Sequence, residues 1–84
     1  MDTYAYDYRI NQVATGRAIK NARLSCGYSV EKVAHLFGCA FQTVYRWENG
    51  TAIPSMDNLF AMKNLFRVSM DKLIVGERIT RDVA

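Results

Sequence analysis

Most enzyme classes need side chains that this sequence scarcely supplies. It has one histidine, His35, and no carboxylate pair or cysteine–histidine arrangement set in a recognisable motif. General acid–base and nucleophilic chemistry are therefore not expected, and His35 reads as a solvated or phosphate-adjacent residue on a helix surface. No glycine-rich phosphate loop follows a strand. Cysteine is almost as scarce: Cys26 and Cys39 stand outside any C-x-x-C pair and make no disulfide framework. They read as free, buried or half-buried thiols. With His35 they offer a metal only three ligands, and Leu36 and Phe37 between them have the character of packing residues, so neither metal nor cofactor is expected. No apolar run approaches the roughly 18 residues that span a bilayer. The stretch from Met1 to Tyr8 lacks the basic-then-apolar order of a targeting peptide, and the expected location is the cytoplasm.

What remains suits one small domain. A chain of 84 residues can fold alone, with a core worth roughly 3–5 kcal/mol net. Eleven basic residues against eight acidic ones give a net charge of +3. That excess is compatible with nucleic acid and too mild to argue for it alone.

The first ten residues form a distinct arm. Tyr4, Tyr6 and Tyr8 alternate with Ala5, Asp7 and Arg9, which is strand periodicity. Its partner is either the tail from Glu77 to Ala84 or the same arm of a second subunit; otherwise the tyrosines lie loosely over the core. From Asn11, the expected N-cap, the period becomes helical to about residue 25. Val13, Ile19 and Leu24, with Ala14, Ala18 and Ala22, are expected inside, and Arg17, Lys20, Asn21 and Arg23 mostly outside. Gly27 supplies the stop. Ser29 caps a second helix whose Val30, Val33, Ala34 and Phe37 face inward, and Gly38 ends it. A third helix runs over 40–48 with Val44 and Trp47 inward, followed by the turn signal Asn49-Gly50. Ser55 caps a fourth, with Leu59, Met62, Leu65 and Phe66 inward. Ser69 caps a short fifth over 70–75, stopped by Gly76. The expected fold is all-α: a compact five-helix domain over 11–76, flanked by the arm 1–10 and a tail 77–84.

The stretch from Ser29 to Thr51 carries the function. Two short helices meet at a single glycine, Gly38, with small Ala34 where they approach most closely. Such a pair presents its second helix to a groove, most commonly the DNA major groove. The ordered set of Gly16 to Arg23, Val33-Ala34 with Gly38, Thr43 to Gly50, Pro54-Ser55 with Leu59, and Val68 to Leu73 resembles the lambda-repressor/Cro-like helix-turn-helix proteins of phages and bacteria. The resemblance covers about Gly16 to Gly76.

That resemblance implies an inner ion pair between Arg23 and Glu48. It implies base reading by Phe41, Gln42, Tyr45 and Arg46 on the outer face of helix 40–48. Gln42 suits adenine, Arg46 suits guanine or a phosphate, and Phe41 suits a thymine methyl. Thr43 and Asn49 are placed for phosphates, as is the backbone amide of Val30, with Arg17, Lys20 and Lys32 at the flanks. Three positions depart from the family pattern. Val30 replaces a phosphate-binding glutamine, Ala40 replaces a capping residue, and Thr51-Ala52-Ile53 replaces a loop that is often cationic. Each departure removes a polar contact, so DNA binding per subunit is expected to be weak and to depend on dimerisation. Met70, Leu73, Ile74 and Val75 make helix 70–75 the expected two-fold interface, aided by the arm.

The function these features favour is a sequence-specific, double-stranded DNA-binding transcriptional regulator, a repressor foremost. The competing function is a protein-interaction module of antitoxin or anti-repressor type that turns the same helix face to a protein.

Overall fold

Three polar side chains fix helix starts. Asn11 Oδ1 accepts the Ala14 N–H at 3.0 Å, Ser29 Oγ accepts that of Lys32 at 3.0 Å, and Ser55 Oγ accepts that of Asn58 at 3.1 Å. Each satisfies one orphan donor of a first turn. In the computed structural model, which describes residues 7–79, these caps open α1 (Gln12–Ser25), α2 (Val30–Phe37) and α4 (Met56–Phe66). α3 (Phe41–Glu48) starts from Ala40 with no side-chain cap. α5 (Met70–Leu73) starts from Ser69, whose hydroxyl makes no capping bond either, contrary to expectation. Gly38, at φ 64°, closes α2 in the left-handed conformation that a side chain would resist.

The fifth helix is shorter than the expected 70–75. Ile74 is already extended, with φ −97° and ψ 113°, so Ile74 and Val75 lead out of α5. Gly76 then opens a strand instead of stopping a helix. β1 (Tyr8–Ile10) pairs antiparallel with β2 (Gly76–Arg78), with Tyr8 opposite Arg78, Arg9 opposite Glu77 and Ile10 opposite Gly76. The described part of the tyrosine-rich arm thus takes the tail of its own chain as partner; Tyr4 and Tyr6 lie outside the described residues. Glu77 stitches the ladder to α1, accepting from Arg9 Nε at 2.6 Å and from Asn11 Nδ2 at 3.1 Å. Thr15 Oγ1 accepts the Val75 N–H at 3.0 Å and donates to the Val75 carbonyl at 3.3 Å. The segments at β1 and β2 therefore hold the first turn of α1 between them.

The core gathers Ile19, Val30, Val33, Ala34, Val44, Trp47, Leu59, Met62, Phe66 and Leu73. All five helices contribute, and Leu73, fully buried, belongs to the core of its own subunit. α1 meets this core differently from the sequence expectation. Val13 and Leu24 are exposed, whereas Thr15, Gly16, Ile19 and Arg23 are buried. The reason is helical phase. Residues 13 and 24 each lie roughly 120–140° around the helix from Ile19, while 15, 19 and 23 repeat every four residues on one side. On α4 the outward Met56 and Phe60 are exposed.

Arg23 enters the core side because it is paired. Its Nε donates to Glu48 Oε2 at 2.6 Å and its Nη2 to Oε1 at 3.0 Å, while Nη1 donates to the Tyr28 carbonyl at 2.8 Å. Both side chains are less than one-tenth exposed. The hydrogen bond to Glu48, opposed by desolvation and helped by the same carboxylate's charge, raises the Arg23 pKa above its already high ordinary value. The stability carried by a raised pKa is present below the ordinary value and lost only as pH climbs past the folded one. Arg23 therefore stays charged throughout the workable pH range.

Removing one member of a buried pair strands the other charge. Glu48→Ala is expected to cost about 3–5 kcal/mol in urea unfolding. The double variant Arg23→Met/Glu48→Leu should recover most of that loss, short of about 1 kcal/mol for the Tyr28 carbonyl left without its donor. A near-neutral Glu48→Ala would show that the pair does not hold the fold.

Candidate nucleic-acid interface

α3 is amphipathic, and its two sides have separate tasks. Val44 and Trp47 point into the core, where the Trp47 ring meets Phe37 edge-on at 5.9 Å between centroids. Glu48 is tied to α1 through Arg23. The buried and half-buried positions 43, 44, 47 and 48 occupy one side of the helical wheel. Phe41, Tyr45, Asn49, Gln42 and Arg46 fall within an arc of about 140° on the other. All five are exposed. One rigid face is therefore left open to solvent.

The last turn of α3 comes close to a glycine in the second turn of α1. A Cβ placed on Gly16 would meet the Trp47 carbonyl oxygen and would lie 2.6 Å from that of Glu48. No side chain fits there, so the C-terminal turn of α3 rests directly on the α1 backbone. Gly16 is part of the family resemblance, but its role was not evident in the sequence. The available signal was its position: a glycine inside an otherwise regular helix costs about 1 kcal/mol relative to alanine and calls for a packing reason.

Beyond α3 the chain turns sharply at Gly50, whose φ is 80°. The Arg46 carbonyl accepts the N–H groups of Thr51 at 3.0 Å and Ala52 at 3.2 Å, which caps the end of the helix. Asn49 Oδ1 accepts the Thr51 hydroxyl at 2.8 Å and its N–H at 3.3 Å. The acceptor half of that amide is thus committed inside the loop, and the donor half remains for a partner. Ile53 is exposed, so the apolar loop is a surface feature.

At the outer face, Phe41 and Tyr45 pack edge to face, 6.0 Å apart at 86°. Each remains nearly half exposed, at 46% and 47%. Beside them lies a shallow groove of about 450 Å³, lined by Lys20, Arg23, Ser29, Val30, Glu31, Tyr45, Glu48 and Asn49. Four of the residues expected to contact DNA, Lys20, Val30, Tyr45 and Asn49, are brought together here with the expected ion pair, Arg23 and Glu48. The Val30 side chain is buried in the core, so only its backbone amide, in the first turn of α2, can serve a ligand. Phe41, Gln42 and Arg46 continue the surface along α3. Arg17 is exposed on α1 but does not line the groove, and Thr43 is half-buried. Ser29 and Glu31, absent from the predicted site, stand on the groove wall. Two cations, Lys20 and Arg23, face two carboxylates, Glu31 and Glu48, so the groove carries no net side-chain charge.

A helix-turn-helix family model matches residues 19–73, from the core-facing Ile19 of α1 to the end of α5. The chain belongs to the Cro/C1-type helix-turn-helix family. Among curated proteins it is similar to the SPbeta prophage-derived uncharacterized HTH-type transcriptional regulator YonR of Bacillus subtilis (strain 168), 32% identical over 68 residues. That match takes in 81% of this chain, which spans 63% of the relative's length. Among solved structures the fold is similar to the restriction-modification controller protein C.AhdI from Aeromonas hydrophila, with a TM-score of 0.67 at 24% identity over 75% of this chain and 96% of that one. FeII HppE in complex with its substrate shares the fold over 76% of this chain and 34% of its own, at 22% identity and a TM-score of 0.67. At these identities the two structures speak for the fold alone. Within the helix-turn-helix fold, α2 and α3 are the paired helices and Gly38 is their turn. No helix among the described residues is long and apolar enough to cross a membrane.

The glycine contact gives a direct test of how α3 is seated. Gly16→Ala improves helix propensity by about 1 kcal/mol yet drives a methyl group into the α3 backbone. The clash should win, with a net destabilisation of about 1–3 kcal/mol in urea unfolding. A stabilised variant would mean that α3 does not rest on α1 at this point.

Proposed function

We propose that this chain is a sequence-specific, double-stranded DNA-binding transcriptional regulator, acting as a repressor, that lays α3 in the major groove. The observation that carries this reading is the division of α3 into a pinned inner side and an open arc of Phe41, Gln42, Tyr45, Arg46 and Asn49. Base readers must project from a rigid element, because discrimination between base pairs depends on hydrogen-bond geometry. Family membership and a relative named as a transcriptional regulator support the same conclusion.

Each side chain has a role that follows from its chemistry. Gln42 bonds the adenine edge with its carbonyl and amide, and Arg46 bonds guanine or, extended, a phosphate. The Asn49 amide donor, the Thr43 hydroxyl, the Val30 N–H in the first turn of α2 and the cations Lys20 and Arg17 position the phosphates. Glu31 opposes them. A groove with balanced charge releases few counterions, so affinity per subunit is low and two subunits are needed.

A second copy of the chain is the partner proposed for the α5 end. Met70, Ile74 and Val75 remain only partly covered, although Leu73 is already spent on the subunit's own core. Two-fold pairing there would set half-sites about one helical turn, roughly 34 Å, apart.

Selection from a random duplex pool tests the proposal. It should return inverted repeats with half-sites one turn apart, and Gln42→Ala should relax the preference at one position per half-site, by about 1–3 kcal/mol. No enriched sequence, together with co-purification of a stoichiometric protein that Phe41→Ala releases, would establish the protein-interaction module instead; the two exposed aromatics on α3 are the feature that favours it. Removing the opposing carboxylate supplies a further check. Glu31→Gln should tighten DNA binding about two- to fivefold at low salt, with the gain shrinking as salt rises. Unchanged or weaker binding would place the phosphates away from the α2 end of the groove.

A further inference from the structure

The aromatic pair on α3 has no polar function that the site requires of it. Phe41 opens the helix, where residues of a major-groove helix meet base edges. Its ring carries neither donor nor acceptor, and the neighbouring Ala40 adds only a methyl group, also exposed. Tyr45, one turn later, packs edge-on against Phe41 and braces it, while Tyr45 itself lines the groove beside Lys20 and Asn49. Nearly half of Phe41 stays open to solvent at a cost in apolar exposure. Along the floor of the major groove the one apolar feature of a base edge is the C5-methyl of a pyrimidine.

Resting on the reading of α3 as a major-groove helix, we infer that the Phe41–Tyr45 pair is a C5-methyl reader that recognises the methyl group and not the base bearing it. A braced phenyl ring is blind to whether the neighbouring exocyclic group is the O4 acceptor of thymine or the N4 donor of cytosine. The site therefore accepts 5-methylcytosine where it accepts thymine, and binding responds to cytosine methylation of the operator. Gln42 and Arg46, pointing further around the helix, read the adjacent pairs by hydrogen bonding and are not involved in this discrimination.

The test uses the whole chain and duplexes of the selected sequence carrying T·A, U·A, C·G or 5-methylcytosine·G, substituted at each pyrimidine in turn. At one pyrimidine per half-site, uracil should weaken binding about fourfold relative to thymine, the factor that burying one methyl group supplies. At that same position 5-methylcytosine should bind about fourfold tighter than cytosine. Phe41→Ala should bring both ratios to about one, while Phe41→Leu, which keeps apolar bulk, should retain them. Affinities that pair thymine with uracil and cytosine with 5-methylcytosine at every position would overturn the methyl assignment and leave the DNA-binding proposal standing. Failure to enrich any duplex would overturn both.

Discussion

Beneath the outward face of α3, the Arg23 guanidinium and the Glu48 carboxylate meet through two hydrogen bonds, out of solvent, with a third bond from the same guanidinium to the Tyr28 carbonyl. The geometry ties three parts of the chain at once: the last turn of α1, the loop before α2 and the last turn of α3. A few residues earlier along α1, Gly16 lets the backbone of Trp47 and Glu48 sit against the helix without an intervening side chain. Charge pairing and close backbone approach therefore act on the same end of the same helix. Such a contact has little latitude. Apolar packing tolerates small rotations, whereas a bidentate pair and a carbonyl resting on a glycine do not. The orientation of α3, and with it the spread of Phe41, Gln42, Tyr45 and Arg46, follows from this junction.

The rest of the fold supports it. Val44 and Trp47 fill the space between α3 and the core, and Phe37 meets the Trp47 ring. At the far end of α1, Thr15 and Asn11 bind Val75 and Glu77, so the C-terminal strand steadies the helix against which α3 is set. The small sheet is thus more than a tie between β1 and β2. It fixes the first turn of the helix whose second and last turns seat α3.

Local signals in the sequence were legible because their physics is local. Ser29 and Ser55 cap helices, Gly38 takes the left-handed turn, and Val44 and Trp47 face inward, each decided within a few residues of chain. The inner stripe of α1 was not legible to a hydrophobic reading, since Thr15, Gly16 and Arg23 are not apolar and reach the interior only by virtue of partners distant in sequence. Val13 and Leu24 misled for the complementary reason: apolar character without the phase of Ile19. The shorter α5 depends on Gly76 entering a ladder with Ile10, a long-range pairing that no local pattern near residue 76 announces. In the candidate site, the exposed arc of α3 followed from helical periodicity. The groove with Ser29 and Glu31 on its wall required α1, α2 and α3 to be placed together.

In the proposed function, the junction at Arg23, Glu48 and Gly16 presents one face of α3 to a DNA duplex. Amide chemical-shift mapping during titration with a bound duplex tests it most directly. The largest changes should fall on residues 41–46, on Asn49 and on residues 29–31 at the α2 end of the groove. Changes centred on the exposed Met56–Phe60 face of α4, with α3 unmoved, would contradict it.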